Sequence, residues 1–347
     1  MEIERGSQAW FDQVVEAPID PQRRIIDPHH HLWHRPGFGT YMLDELWADT
    51  QSGHRIEKTV FVECRTRWRT EGPEALRPVG ETEFIAEVAA ASRKAAPDRP
   101  GTYPDTEQSS CPVIAGIVAY ADLRSEALSD VLEAHRAAAR GLLRGIRHSG
   151  AHEPDREALT LPGRAPAGLY AQEDFRRGLR ALGKQGLPYD TWHYHHQNRD
   201  YAALARAVPD TIFVLDHFGT PLGVGRFAGK RAEIYAQWKQ DIAEIARCPN
   251  VFAKLGGLAM PDNGWGWDQR DRPASSDELV AAQRDYYLRA IECFGPERCM
   301  LESNFPVDKR SISYCVLWNA LKKIVRNFSE AEQHGMFYAN AQRIYRL

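Results

Sequence analysis

Cysteine is sparse in this chain. Six cysteines stand among 347 residues (Cys64, Cys111, Cys248, Cys293, Cys299 and Cys315), and no two form a C-x-x-C pair. That excludes a disulfide-stapled scaffold and is the usage of reduced, mostly buried thiols. Long apolar runs are missing as well. The longest, at 113–121, is less than half of the roughly 20 residues that a membrane-spanning helix needs, and the mean hydropathy is -0.51. The first residues, MEIERGSQAW, hold early acids and no apolar core of a secretory signal, so the expected compartment is the cytoplasm. Basic residues are scattered, and the formal net charge is -3, which advertises no nucleic-acid partner. There is no G-x-S-x-G elbow, no P-loop and no H-E-x-x-H, and Gly223-Val224-Gly225 lacks the helix that a dinucleotide site requires. Serine nucleophiles, nucleotides and ordinary zincin chemistry are thereby set aside.

What is present is the composition of a folded globule, 43% hydrophobic and 26% charged, with a repeating pattern in it. Eight short β-branched runs lie at 24–27, 58–63, 113–121, 142–147, 188–194, 211–216, 251–255 and 299–302. Helix-like segments alternate with them at 81–95, 126–139, 173–185, 203–207, 231–246 and 276–294, with 313–326 and 330–345 after the last strand. Eight strands, each followed by a helix, close a (β/α)8 barrel. No linker interrupts the series, so the expectation is one α/β domain over 1–347, a barrel from about 24 preceded by an extension at 1–23. Loop insertions lie at 101–110, 151–168 and 260–276, and those after strands four and seven would stand over the carboxyl-end rim of the barrel, where Trp265, Trp267 and Tyr41 are candidates to wall a substrate pocket.

Seven of the thirteen histidines fall in two clusters, His29, His30, His31, His34 and His193, His195, His196. Each cluster sits at the carboxyl end of an expected strand. Side chains two apart on a strand share a face, so His29 and His31 form a chelating pair while His30 turns away. Other strand ends carry Glu63, Arg147-His148, Asp216-His217, Lys254 and Glu302-Ser303-Asn304, with Asp308 beyond. Polar groups recurring on one rim are how barrel enzymes build active sites. Glu63 also has Arg65 and Arg67 near it in sequence as ion-pair partners.

The segments Asp27-Pro28-His29-His30-His31-Leu32-Trp33, Phe61-Val62-Glu63-Cys64, Arg144-Gly145-Ile146-Arg147-His148, Leu215-Asp216-His217-Phe218-Gly219, Lys254-Leu255-Gly256-Gly257-Leu258 and Glu302-Ser303-Asn304-Phe305-Pro306-Val307-Asp308-Lys309 together resemble the amidohydrolase-related family, the second amidohydrolase group. That group includes sugar-lactone and pyrone-dicarboxylate lactonases and aminocarboxymuconate-semialdehyde-type decarboxylases. The resemblance implies that His29 and His31 are the first-strand metal pair, and that His195 and His217 are the fifth- and sixth-strand histidines. One departure stands on strand eight, where the family usually places an aspartate as metal ligand and general base and this chain has Asn304. An amide takes no proton from water. Asp308 or Glu63 would have to supply the missing carboxylate, and Glu63 with Asn304 also resembles a branch that includes dinuclear-iron oxygenases.

The expected function is therefore a metal-dependent hydrolase of a small carboxylated lactone, ester or amide. His29, His31, Glu63, His195 and His217 are the candidate metal ligands, with zinc as the ion and iron or manganese, mononuclear or dinuclear, as the alternative. Arg147 is expected to clamp the substrate carboxylate, Asp308 to move the leaving-group proton, and Asn304 to stand at the site. The rivals are a dinuclear-iron oxygenase, a metal-independent lactonase and a catalytically reduced partner subunit. The expected partners are a small-molecule substrate and either further copies of the chain or a related subunit.

Overall fold

The apolar runs form one sheet because their alternate residues have two different places to go. In the computed structural model, which describes residues 3–95 and 112–347, Phe61 packs outward against the helices, while its neighbours Val60 and Val62 join Ile26, Val118, Val214 and Met300 in a separate interior cluster. The same alternation puts Phe213 and Leu215 outside and Val214 inside. Strands buried on both faces read as continuous apolar runs, and such strands pair in parallel. The expected insertion at 101–110 and Cys111 lie outside the described residues.

The eight barrel strands are β1 (Ile25–His30), β2 (Ile56–Val62), β3 (Val113–Ala119), β4 (Leu143–Arg147), β5 (Tyr189–Thr191), β6 (Phe213–Leu215), β7 (Val251–Leu255) and β8 (Cys299–Leu301). They run in sequence order around the sheet, each parallel to the next. The ring closes at a seam just past β8, where His30 bridges Phe305, His31 N donates to Phe305 O at 2.8 Å and Asn304 N donates to His29 O at 3.0 Å. β2, β3, β5, β6 and β8 end one to three residues before their expected carboxyl ends, whereas β1 runs on to His30. Their last polar residues leave the ladder and turn over the rim.

Eight helices follow the strands: α1 (Leu43–Thr50), α2 (Val79–Ala95), α3 (Leu128–Ala139), α4 (Glu173–Lys184), α5 (Asn198–Ala207), α6 (Arg231–Ala246), α7 (Ser276–Phe294) and α8 (Tyr314–Val325). The sequence reading passed over α1, whose buried side chains are only Leu46, Trp47 and Thr50, too short a stripe to stand out. The expected helix at 330–345 is broken, because Gly335–Ala339 winds as a π-helical turn between two short α-helices. Its buried residues Tyr338, Ala341, Ile344 and Tyr345 join the interior cluster of Ile26, Val60, Val62, Val118, Val214 and Met300. The chain thus stoppers its own barrel with its carboxyl terminus. At the other terminus, Trp10 Nε1 donates to Arg270 O at 3.0 Å, and Glu16 accepts from Ser276 N at 2.8 Å. Among the described residues all five cysteines are free, with Cys248 and Cys299 buried and Cys64, Cys293 and Cys315 half-buried. No helix is long and apolar enough to cross a membrane.

Candidate active site

With Ile146, Tyr189, Ala253, Leu215 and Leu301 packed outward in the main core, alternation turns the following or adjoining residues, Arg147, Asp190, Lys254, Asp216 and Glu302, into the barrel. All five are buried. Buried charges must be paired, and these are. Lys254 Nζ donates to Asp190 Oδ2 at 2.6 Å and lies 3.6 Å from Asp216 Oδ1, while Tyr345 OH, reaching up from the stopper, donates to Asp190 Oδ2 at 2.6 Å. Burial works to lower the Lys254 ammonium, but Asp190, Asp216 and Glu302 outweigh it and raise its pKa. Asp190 went unnoticed in the sequence. A lone acid at an inward position of an otherwise apolar strand was the available signal.

Above this layer three imidazoles converge. His29 Nε2 and His31 Nε2 are 3.3 Å apart, and the His29 and His217 ring centroids are 4.6 Å apart. In two of the rings, His31 and His217, Nδ1 has an acceptor. His31 Nδ1 donates to Val62 O at 2.8 Å, His29 Nδ1 faces Glu302 Oε2 at 2.8 Å, and His217 Nδ1 donates to Glu302 Oε1 at 2.7 Å. Lys254 Nζ stands 3.5 Å from the same His29 Nδ1, and burial pushes the Glu302 carboxyl well above its usual range. Glu302 thus meets two of the histidines, accepting from His217 Nδ1 and lying 2.8 Å from His29 Nδ1. Burial, ahead of the neighbouring cations, holds His29 and His31 well below the usual histidine range, and burial takes His217 down to about 3. Burial thus favours the neutral form of all three, the form in which imidazole ligates a metal.

His217, Glu302 and the strand-seven glycines fit as a unit. His217 lies in the left-handed region (φ 54°), and a Cβ on Gly257 would come within 2.3 Å of its Nδ1. A Cβ on Gly256 would meet Glu302 Cγ at 2.4 Å. Gly256-Gly257 is thus the space that the histidine–carboxylate clamp occupies.

Asn304, also left-handed (φ 56°), donates from Nδ2 to Asp308 Oδ1 at 2.9 Å, and Asp308 Oδ2 accepts from Ala259 N at 3.0 Å. Asp308 is buried, with both oxygens engaged. Burial pushes its carboxyl up, and these two donors pull it back. Through these bonds it holds Asn304 and the loop after β7. Arg147 and Glu63 meet each other. Arg147 Nε donates to Glu63 Oε1 at 2.8 Å, and its Nη1 lies 3.4 Å from Asp216 Oδ2 and 3.4 Å from His29 Nε2. The guanidinium expected to clamp a substrate and the carboxylate expected on the metal neutralise each other, and neither Arg65 nor Arg67 takes the part of Glu63's partner.

His195 lies in a turn beyond β5 (His195–Gln197), its Nδ1 accepting from Leu222 N at 3.2 Å and its ring centroid 4.9 Å from that of Phe227. The group of three ligand-capable side chains that the described residues bring within 4.8 Å of one another is His29, His217 and Glu302. Glu302 belongs to it through the Nδ1 protons, as a clamp. Trp265 and Trp267 stack on each other at 5.7 Å, with Trp267 buried, and Tyr41 is buried with its hydroxyl on Asp49 at 2.8 Å. Of the three aromatic residues considered for the pocket, Tyr41 and Trp267 are packing residues.

Comparison with known proteins gives consistent matches. A family model described as Amidohydrolase matches residues 26–347. The chain is 32% identical over 349 residues to uncharacterized protein y4mH of Sinorhizobium fredii, covering 93% of this chain and 98% of that protein. It is 26% identical over 323 residues to L-fucono-1,5-lactonase of Burkholderia multivorans, covering 93% and 96%. Among solved structures, an amidohydrolase from Burkholderia multivorans with bound HEPES superposes with a TM-score of 0.69 at 25% identity, over 93% of this chain and 99% of that one.

Proposed function

The chain belongs to the amidohydrolase family, and from that membership we propose that it hydrolyses a small lactone, ester or amide using one divalent ion held by the Nε2 atoms of His29, His31 and His217. The observation that carries this reading is the His29 and His31 Nε2 atoms 3.3 Å apart, with the Nδ1 atoms of His31 and His217 engaged by Val62 O and Glu302. Two imidazoles sharing a tetrahedral zinc-sized ion at about 2.0–2.1 Å place their nitrogens roughly 3.3–3.4 Å apart. Three neutral imidazoles and an open position suit zinc, and each histidine carries the backing acceptor that metal-bound imidazole usually has. A bound divalent ion would supply Lewis acidity toward a carbonyl and a water acidified toward neutrality.

The chain's own residues then do the following. Glu302 orients two ligands, Val62 O orients the third, and the Arg147–Glu63 pair forms a neutral wall beside His29. Asp308 turns the amide of Asn304 so that Nδ2 faces inward to the carboxylate, leaving Oδ1 as the group it can offer. A lactone is the favoured substrate because a relative spanning nearly the whole chain carries that activity in its name. The dinuclear-iron alternative rested on Glu63, whose carboxylate is used by Arg147.

The test is elemental analysis of protein purified without added metal, combined with hydrolysis of a panel of lactones before and after chelation. One zinc per chain, with activity lost on chelation and restored by zinc, is expected. His29→Ala and His31→Ala should each lose the ion, whereas His30→Phe should keep it, because His30 turns to Phe61 at 6.0 Å. Two irons per chain with oxygen uptake would turn the reading to an oxygenase, and full activity without metal would leave a metal-independent lactonase.

A further inference from the structure

Strand β1 changes its facing partway along. Ile25 packs outward among the helices and Ile26 inward among the barrel residues, so strict alternation would carry Asp27, His29 and His31 outward and aim His30 at the barrel axis. Asp27 does lie on the helix side, where its Oδ2 accepts from Tyr314 OH on α8 at 2.9 Å. The histidines do the reverse. The His30 ring faces Phe61 on the helix side, 6.0 Å between centroids, while His29 Nε2 is 3.4 Å from Arg147 Nη1 inside the barrel and 3.3 Å from His31 Nε2.

The register against β2 shows where the phase slips. Asp27 stands opposite Thr59 and His30 opposite Phe61, so three steps on β1 match two on β2, and one extra residue is bulged out at Pro28-His29. A slip of one residue moves every later side chain to the other face. Proline suits a bulge because it has no N–H to take from the ladder. The bulge is built on a carboxylate. Asp27 is fully buried, and its Oδ1 accepts from His29 N at 3.3 Å and from Ser303 N, in the segment after β8, at 3.0 Å. The first of these bonds is the turn that an aspartate side chain makes with the amide two residues on. Through the second, the same oxygen sets His29 against Ser303, the residue next to Glu302, whose carboxylate meets two of the imidazoles.

We propose that Asp27 is a positioning residue, whose Oδ1 builds the β1 bulge that turns His29 and His31 into the barrel and registers them against Glu302. It acts through two backbone amides and not as a ligand. Alternation makes the two histidines share a face, and the bulge decides which face that is. The assignment deepens the hydrolase reading and rests on it for the ion that the two rings hold.

The experiment reads zinc affinity of the full chain by competition with a chromogenic chelator, beside unfolding in urea. Asp27→Ala removes the acceptor and should weaken zinc at least about tenfold, the loss typical when the support of a metal-bound histidine goes. Asp27→Asn keeps an oxygen for both amides and turns its Nδ2 to the Tyr314 hydroxyl, which can accept, so it should hold zinc within about threefold of wild type. If Asp27→Ala does not fold, Asp27→Ser, which offers one oxygen in place of two, takes its place and should weaken zinc at least about threefold. A second readout needs no ion. In protein labelled with 15N-histidine, the Nδ1–H signal of His31, held by Val62 O and assigned through His31→Ala, should persist in Asp27→Asn and be lost in the alanine or serine variant. Zinc affinity equal to wild type in that variant, with only the urea midpoint lowered, overturns the assignment, as does an asparagine variant as impaired as the alanine one. Should wild type hold no zinc and hydrolyse no lactone, the hydrolase reading falls, and the His31 signal alone decides on Asp27.

Discussion

Glu302 is the residue on which the geometry of the site converges, since its two oxygens serve His29 and His217. Glu302→Gln keeps the shape but turns one acceptor into a donor that faces an N–H. Losing such a backing group typically costs 10–100-fold in metal affinity, and competition with a chromogenic chelator should show a loss in that range with the far-ultraviolet circular dichroism unchanged. Glu63→Gln should behave differently. It leaves Arg147 buried with Asp216 as its remaining acid, so stability should fall by about 3 kcal/mol in urea titration, while metal content stays at the wild-type level. A loss of metal in that variant would put Glu63 back among the ligands. The two carboxylates show what was legible residue by residue. That His29 and His31 bring their rings together could be read because residues two apart on a strand share a face. That Glu63 meets Arg147 could not, because the contact joins β2 to β4 across the barrel and leaves no trace in sequence spacing.

Between elements, α2 and α3 are tied by His135, whose Nδ1 is 2.8 Å from Thr82 Oγ1 and whose Nε2 is 2.9 Å from Tyr120 O. Burial lowers its pKa to about 4. The histidine is neutral in the fold and takes up a proton near pH 6.5 when unfolded, so the unfolded state binds more protons in the window from about 6.5 down to 4, and stability falls as pH falls through it. At 1.36 kcal/mol per pH unit, His135→Gln should flatten the acid limb of the stability curve by up to about 3 kcal/mol between pH 6.5 and 4, after its own loss at pH 7 is subtracted. An unchanged limb would assign the acid sensitivity to the other buried histidines. The order of strands was readable because each apolar run is punctuated by polar residues. Their ends were not, since the residues that leave the ladder to build the rim are as buried as those within it: Glu302, Ser303 and Asn304 are each at most 1% exposed. The helix α1 escaped notice for the opposite reason, having three buried positions in eight.

Over the whole molecule, the carboxyl-terminal helix matters as much as any strand. Tyr345 is fully buried, packs with Ile26, Val60 and Met300, and holds Asp190 through its hydroxyl. Tyr345→Ala should cost about 3–5 kcal/mol, as for other buried aromatic truncations, read as a drop in denaturation midpoint, and should loosen the Lys254–Asp190 layer beneath the imidazoles. The alternating βα series made the barrel legible; the stopper was not, because its apolar positions fall on either side of a π-helical turn and lose a single helical period. The seam carries a consequence of its own. His29 O accepts from Asn304 N and also from Ser303 Oγ, 274 residues on, and the acceptor for two of the imidazoles is Glu302 on the same side of that join. On the ribosome the first strand emerges with its histidines long before the segment that orients them. If the imidazoles hold an ion as proposed, an interrupted or clipped product would hold the sequence of that site without its preorganisation, and ion uptake would mark that translation of this polypeptide has run through β8.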